Sequence, residues 1–334
     1  MKYSIIIPVY NSAEFVLKPL NSLKNQKYQN LEIIVVNDGS TDNSEEVILD
    51  FKKSNPKMNI IYKRNENAGP SSARNTGIEL ATGDYMCFLD SDDTYNENLF
   101  QELEEMIVDE DIIYWGFLSV DEEGKVREGY CYSDFYQYVD NLTGIEAAKK
   151  KCTKELWINN CDILYKTSLV KENNLRYLEG VYAGEDANFI YNALFNAKKV
   201  RVLPKPYFEW THRETSLSRV KFNERYLTEF KAIEDNLKYI EDHNIPEVYD
   251  YIYSLYYHTR AIIGKKLVKS LKWYQGFKFV KLARRYIPKI KKRKPLIFNK
   301  KQKVECGIYR FSKLFFFCFV KFYYATHKYK LAAD

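Results

Sequence analysis

The sequence predicts an α/β protein whose mostly parallel central sheet is flanked by helices and followed by a helical C-terminal region. Two observations support this prediction. Short apolar runs alternate with helix-like segments through roughly the first 110 residues, which is typical of βαβ units and a parallel sheet. From about residue 223 to residue 289 the pattern becomes helical. The length of 334 residues indicates about two domains.

The predicted elements follow the alternation in order. Strands are predicted at residues 3–7, 31–36, 58–62 and 85–89, and later at residues 111–118 and 199–203. Between the early strands, helices are predicted to begin near Ser12, Ser44 and Ser71, and Gly83 is typical of a helix end. Thr143 with Glu146 three residues later predicts a capping box. A further helix is predicted at residues 187–196.

Three acids directly follow the strand at residues 85–89. Asp90, Asp92 and Asp93 close the stretch DYMCFLDSDD. In open α/β sheets, ligands bind in the crevice beyond the carboxyl ends of the strands. Crowded carboxylates there suit Mg²⁺ or Mn²⁺ together with a phosphate-bearing substrate. The alternative is a solvated acidic loop that caps a helix starting near Glu97.

Other strand ends also carry polar residues. Tyr10 could stack on a base, and Asp38 could accept a hydrogen bond from a base or ribose. The first strand is not followed by the pattern GxGxxG, which disfavours an ordinary dinucleotide-binding domain. These features predict a nucleotide held without a glycine-rich phosphate loop.

Charge is distributed very unevenly along the chain. Residues 265–330 contain 21 Lys and Arg but one acid, Glu305, so this tail carries about +20 and the rest about −14. Such a division indicates an anionic partner for the tail, either a membrane surface or nucleic acid. The apolar run Leu314 to Val320 is too short to span a bilayer but could lie in its interface.

Several features favour a cytosolic protein. The beginning, MKYSIIIPVYN, has an apolar run too short for a signal peptide, and no run of eighteen apolar residues predicts a membrane-spanning helix. The six cysteines form no CxxC pair or metal-ligand spacing, which fits a reducing compartment.

Five motifs in order resemble the family 2 glycosyltransferases, which have the GT-A fold. They are SIIIPVYN, VVNDGSTDNS, the run N-x-G-x-x-x-A-R-N-x-G at Asn67 to Gly77, FLDSDD, and GED at residues 184–186. The resemblance covers about residues 3 to 219. It implies a catalytic domain at 1–220, with a nucleotide-sugar half at 1–110 and an acceptor half at 111–220. Residues 221–334 would form a basic, aromatic region that associates with membrane.

The resemblance also implies roles for individual residues. Arg74 would reach the nucleotide, and Asp90-Ser91-Asp92 matches the family's D-x-D motif. Asp92 would bind Mn²⁺ or Mg²⁺, and Asp90 would hold the ribose or assist the metal. The expected base-binding residues are Pro8, Tyr10, Glu14 and Asp38.

Asp186 matches the catalytic base of the family, which takes a proton from the acceptor hydroxyl. From the sequence alone a helix N-cap is the preferred interpretation, and it is compatible with a role as the base. Glu185 and Trp157 are candidates for contact with the acceptor, although Trp157 could equally be a core residue. The segment after the base would close over the diphosphate and contains Arg213, Ser216, Ser218 and His212, the last also a candidate metal ligand.

The resemblance implies an inverting, metal-assisted transfer from a nucleoside-diphosphate sugar, UDP-sugar in particular, to a glycan or polyprenyl-linked acceptor. The enzyme would be a hexosyl- or N-acetylhexosaminyl-transferase of bacterial surface-polysaccharide synthesis, peripheral on the inner membrane face, with a homodimer as one option. Nucleic acid is not an expected partner. The alternatives are a non-catalytic nucleotide-sugar-binding protein and a sugar nucleotidyltransferase on a related fold, although PVYNSAEFVLK lacks the glycine that the latter needs.

Overall fold

The computed structural model describes residues 1–131, 139–213, 223–287, 296, 304, 307–308 and 312–326. The chain forms two compact units. One comprises Met1–Gly180 and Glu185–Glu214, and the other comprises Val181–Gly184 and Thr215–Asp334. The expected division of residues 1–220 into a nucleotide-sugar half and an acceptor half stays a prediction.

One ten-stranded sheet organises the first unit. Eight strands lie in the order β3-β2-β1-β4-β9-β6-β10-β5, while β7 pairs with β6 and β8 pairs with β10. The strands are β1 Tyr3–Val9, β2 Leu31–Asn37, β3 Asn59–Arg64, β4 Tyr85–Phe88, β5 Thr94–Tyr95, β6 Ile112–Val120, β7 Val126–Cys131, β8 Val139–Leu142, β9 Ile163–Lys166 and β10 Val200–Thr211.

The sheet is parallel where the early strands meet. β1 pairs in parallel with β2 and β4, and β2 pairs in parallel with β3. β9 then lies antiparallel between β4 and β6, and β10 is parallel to β6. The predicted α/β class is confirmed, and the later half of the sheet is mixed. Strands β1, β2 and β4 are apolar and almost fully buried, as expected for a sheet covered on both faces.

The described part of the first unit contains seven helices: α1 Leu17–Lys24, α2 Ser44–Ser54, α3 Pro70–Leu80, α4 Leu99–Met106, α5 Gly144–Thr153, α6 Thr167–Glu172 and α7 Glu185–Asn196. Gly77 allows α3 to lie close to β1, because a Cβ at this position would sit 2.2 Å from Cγ2 of Ile6. The predicted capping box is confirmed: Thr143 and Glu146 satisfy each other's backbone N–H groups at the start of α5.

Two predicted helix boundaries were wrong. Helix α1 begins at Leu17 rather than near Ser12, because the N–H groups of Phe15 and Val16 both donate to the Ser12 carbonyl at 2.9 Å and form a turn before the helix. Helix α3 ends at Leu80, so Gly83 lies beyond the helix end.

The described part of the second unit is helical. It contains α8 Thr228–Asp242, α9 Pro246–Lys269, α10 Gly276–Tyr286 and α11 Lys313–Thr326, with 3₁₀ turns at Glu224–Leu227 and Trp273–Gln275. The predicted interfacial run Leu314 to Val320 lies in α11. Phe316, Phe317 and Val320 are buried there, and rings of the first two pack against Phe279 of α10. This run therefore supplies core contacts. Among the described residues, every helix is too short or too polar to cross a bilayer.

Candidate active site

The loops that follow β1, β2 and β4 meet at one edge of the sheet. Oγ of Ser12 and Oγ of Ser91 are 2.8 Å apart, and the Asp38 N–H donates to the carbonyl of Val9 at 2.8 Å. Asn11 accepts a hydrogen bond of 2.8 Å from the Thr41 N–H. Because the carboxyl ends of parallel strands share one edge, these contacts bring together the segments predicted to hold a nucleotide.

The proposed base-binding residues differ in accessibility. Tyr10 is 50% exposed at the end of β1, and Pro8 is half-buried within that strand. Glu14 is exposed and lines a cavity of about 460 Å³ together with Phe15 and Asp42. An exposed aromatic ring beside an open cavity can stack on a planar ligand.

Asp38 is buried and holds the loop that precedes α3. Its two carboxylate oxygens accept hydrogen bonds from the N–H groups of Ala68 and Gly69, at 3.1 and 2.8 Å. Gly69 has a φ of 93°, a region that favours glycine. Asp38 therefore shapes the start of α3, the helix that carries Arg74.

Arg74 links the strand-end acids to the start of α7. Its guanidinium donates to Oδ1 of Asp90 at 3.0 Å and forms an ion pair of 3.1 Å with Oδ1 of Asp186. Glu185 lies slightly farther away, with Oε1 at 3.8 Å. The Arg74 side chain is only 6% exposed, and a buried cation needs such partners. Two carboxylates distant in sequence are thereby fixed on either side of one guanidinium.

The two acids at the start of α7 have raised pKa values. Burial, together with the charge of Asp186, raises the pKa of Glu185 to about 7, although Arg74 opposes the shift. Burial also raises the pKa of Asp186, with Arg74 again opposing and Asp90 adding to the rise. Oδ1 of Asp186 is buried, yet 41% of its side chain is exposed. The rest of the carboxyl group is therefore open to solvent, as a proton acceptor requires.

Asp92 and Asp93 have different environments. Asp92 forms an ion pair with Arg213, whose guanidinium carbon lies 4.2 Å from the ring centre of Phe15. Asp93 is buried and accepts a 2.8 Å hydrogen bond from the Thr211 N–H at the end of β10. Burial raises the pKa of both carboxyl groups, and neighbouring acids add to the rise. Asp93 therefore ties the acidic loop to β10.

The acids fit a divalent cation. Carboxylates that raise one another's pKa gain stability when positive charge is added, and hard oxygen ligands suit Mg²⁺ or Mn²⁺. Within the described ranges, one group has ligand atoms all within 4.8 Å of one another: Asp90, Asp93 and Cys161. Burial raises the pKa of the Cys161 thiol well above its usual range, so the oxygens are the relevant donors.

The remaining candidates are outside this group or outside the described residues. The ring of His212 contacts Trp210, with centroids 5.8 Å apart, and the backbone N–H of His212 donates to the carbonyl of Val120. Trp157 is 43% exposed and donates to Asn159 at 3.2 Å, so the core interpretation was wrong and a role in acceptor binding stays a prediction. Ser216 and Ser218 lie outside the described residues.

Sequence reasoning missed Tyr177. Its ring centre lies 5.3 Å from the guanidinium carbon of Arg74 and stacks on Phe189 of α7 at 4.2 Å. Its hydroxyl donates to Oδ1 of Asn160. A tyrosine in the irregular segment before α7 gives no periodic signal, so only the fold shows that it supports Arg74.

Comparison with known proteins assigns the first part of the chain to a family. Residues 4–161 match the sequence model of Glycosyl transferase family 2, and this segment carries Arg74 and the strand-end acids. This segment belongs to the family. It is 30% identical over 230 residues to the uncharacterized glycosyltransferase YibD of Escherichia coli K12, covering 66% of this chain and 64% of that protein.

A second family relative is the glycosyltransferase GlyA of Streptococcus pneumoniae serotype 4. It is 36% identical over 227 residues, which cover 66% of this chain and 32% of GlyA. The chain therefore spans less than two thirds of the length of these curated relatives.

The fold also resembles a solved structure. Staphylococcus aureus TarS 1-349, crystallised in complex with UDP-GlcNAc, superposes with a TM-score of 0.67 at 20% identity, covering 99% of this chain and 93% of that one. The same TarS portion in complex with UDP gives a TM-score of 0.63. These likenesses establish the fold, and the predicted GT-A architecture is confirmed.

Proposed function

We propose that this family 2 member is an inverting glycosyltransferase that moves a sugar from a UDP-sugar to a hydroxyl group of a glycan or lipid-linked acceptor. The observation that carries the proposal is the bridge through Arg74, which holds the strand-end acid Asp90 and the partly open carboxylate of Asp186 on one guanidinium. A donor bound at the strand ends would then present its anomeric carbon near a proton acceptor.

In this proposal Asp186 is the general base. The open part of its carboxyl group accepts the proton of the acceptor hydroxyl as the oxygen attacks the anomeric carbon. The new glycosidic bond forms while the bond to the diphosphate oxygen breaks, and UDP departs with that electron pair on the opposite face. Configuration at the anomeric carbon is therefore inverted. The raised pKa of Asp186 makes it a stronger base than an ordinary aspartate.

The leaving diphosphate needs positive charge. Asp90, which can share a cation with the neighbouring Asp93, would hold a divalent ion together with Asp92, and such an ion neutralises charge on a departing diphosphate. Arg213 already pairs with Asp92 and provides a second cation beside the same position. Pro8, Tyr10, Glu14 and Asp38 would surround the base.

The relatives suggest a class of substrates. TarS of S. aureus is named a poly(ribitol-phosphate) beta-N-acetylglucosaminyltransferase, and its solved portion was crystallised with UDP-GlcNAc. We propose a UDP-hexose or UDP-N-acetylhexosamine donor and a surface-polysaccharide acceptor for this chain. Trp157 and Glu185 are the candidates for acceptor contact. The basic C-terminal region would place the protein on the inner face of the cell membrane.

Two variants test the proposed roles separately. Asp186→Asn should keep metal-dependent donor binding within about threefold, yet reduce release of UDP by about a hundredfold or more, the range that general-base catalysis contributes. Asp92→Ala should lose the Mn²⁺-dependent part of donor binding. Donor binding is measured by calorimetry after a thermal-shift screen of UDP-, GDP- and dTDP-sugars, and product configuration is measured by NMR.

Asp50→Asn is the matched control, because Asp50 is exposed on α2. It should change neither binding nor turnover. Near wild-type turnover by Asp186→Asn would exclude the base assignment, and retention of configuration would exclude the single displacement.

A further inference from the structure

Helix α10 in the second unit has two sharply different faces. Its sequence is GFKFVKLARRY and contains no acid. Phe279 and Ala283 are completely buried, and Phe279 packs against the rings of Phe316 and Phe317 of α11. One face of α10 is therefore fixed in the core of the second unit, which determines the side that faces solvent.

The opposite side forms what we call the α10 outer face. Phe277 and the preceding Tyr274 are 79% and 77% exposed, and the basic residues Lys278, Lys281, Arg284 and Arg285 are also exposed. At 100° per residue, Phe277 and these four residues of α10 project within about a third of a turn of one another, and Tyr274 lies in the 3₁₀ turn just before the helix. The face consists of Tyr274, Phe277, Lys278, Lys281, Arg284 and Arg285.

Three cations of this face lack an ion-pair partner among the described residues. Lys278, Lys281 and Arg284 form no ion pair with any residue in the described part of the chain. The concentration of positive charge extends to α11, where burial and the charges of Arg260 and Arg284 lower the pKa of Lys313. Such a concentration of like charge is stabilised by an external anion.

We propose that the α10 outer face binds the surface of an anionic lipid bilayer. The Lys and Arg side chains contact headgroup phosphates, and the rings of Phe277 and Tyr274 enter the interface. The inference deepens the proposed membrane location and rests on it. It takes the place of the apolar run of α11 as the main contact surface, because Phe316, Phe317 and Val320 of that run are buried and its exposed large apolar side chains are Leu314 and Phe315.

The cations from Lys278 to Arg285 lie within about 11 Å along the helix, comparable to the Debye length at physiological salt, so they act together on a charged surface. One feature favours a bilayer over nucleic acid as that surface. The face presents exposed aromatic rings with cations beside them and no amide side chains for reading bases, which matches an interfacial helix.

Vesicle co-sedimentation of the full chain tests the proposal. The probe is a phosphatidylcholine vesicle containing phosphatidylglycerol, with pure phosphatidylcholine for comparison. Each basic residue near an anionic surface contributes roughly fivefold to binding. The triple variant Lys278→Gln/Lys281→Gln/Arg284→Gln should therefore lose on the order of a hundredfold, and Lys281→Gln alone about fivefold.

The matched control is Lys52→Gln/Lys53→Gln/Lys57→Gln, which removes the same charge from exposed positions at and after α2. It should lose less than about threefold, since only screened, long-range attraction changes. Phe277→Ser should remove binding that persists at high salt. Equal losses in the two triple variants, or no binding of the wild-type chain to anionic vesicles, would overturn the proposal.

Tighter binding to single-stranded RNA than to anionic vesicles at the same salt would also overturn it. Release of UDP in solution reports the catalytic proposal independently. If the chain binds vesicles but shows no turnover, only the catalytic proposal is refuted. If the chain shows turnover but does not bind vesicles, only the proposal for the α10 outer face is refuted.

Discussion

Replacing Glu185 by glutamine should stabilise the protein above neutral pH. Only 13% of the Glu185 side chain is exposed, and its pKa rises from 4.5 to about 7 through burial and the neighbouring Asp186. At pH values between these two pKa values, a carboxyl group with a raised pKa binds more protons in the folded state than in the unfolded state. Folding stability therefore falls as pH rises from about 4.5 to about 7, and the full cost remains above pH 7.

The size of the effect follows from the two pKa values. Integrating the proton linkage between 4.5 and about 7 gives a cost of about 3 kcal/mol at pH 8 and about 1 kcal/mol at pH 5. Glutamine has the same shape without the charge, so Glu185→Gln should recover most of this free energy. At about 2–4 °C per kcal/mol for a unit of this size, the melting temperature should rise by about 6–10 °C at pH 8.

The assay is urea denaturation and thermal melting of both proteins at pH 5 and pH 8 without donor or metal. The control is Glu46→Gln, which removes a charge from an exposed position on α2. The decisive quantity is the change in the free energy of unfolding caused by Glu185→Gln at pH 8 minus the change at pH 5. Effects of side-chain volume cancel in this difference. An equal change in the free energy of unfolding at both values, or destabilisation at pH 8, would refute the reasoning.

Two further predictions concern packing and charge in the first unit. Gly144→Ala should cost about 3 kcal/mol in urea denaturation, because a Cβ would sit 1.9 Å from the carbonyl oxygen of Leu194. Gly124→Ala, which meets open space at a φ of +84°, should cost only about 1 kcal/mol, and equal costs would contradict the steric argument. Asp93→Asn should keep the free energy of unfolding within about 1 kcal/mol, because burial already disfavours the charged carboxylate and the amide oxygen can still accept from the Thr211 N–H. A loss as large as that of Asp93→Ala in the same assays would show that the charge matters.

The first four strands could be predicted from sequence because each is a compact apolar run ended by turn residues. The acids after β4 could be located for the same reason. The ion pair between Arg74 and Asp186 could not be derived from spacing, since the two residues lie on different helices. Only the family resemblance placed them in one site.

The later strands were harder to predict because local signals conflict with the pairing. β10 continues to Thr211 through Pro204 and Pro206, and its pairing with β6 shifts register around Pro206. Proline removes a ladder hydrogen bond, so the sequence indicated only a short strand that ends at Leu203. In the tail, charge predicted an anionic partner, but the packing of Phe316 against Phe279 was needed to show which surface is exposed.

The late position of β9 in the sequence affects the solubility of the nascent chain and of truncated versions of this protein. β4 carries the acids at its carboxyl end, and its second neighbour comes from Ile163–Lys166, after β5 to β8 in the sequence. Until the ribosome has delivered that segment, the apolar strand Tyr85–Phe88 has an open edge, the kind of surface that promotes aggregation. A product that stops after the first 110 residues would contain the acids but leave that edge uncovered. The first 110 residues therefore depend on β9 to cover this edge, and the two segments are best expressed as a single piece.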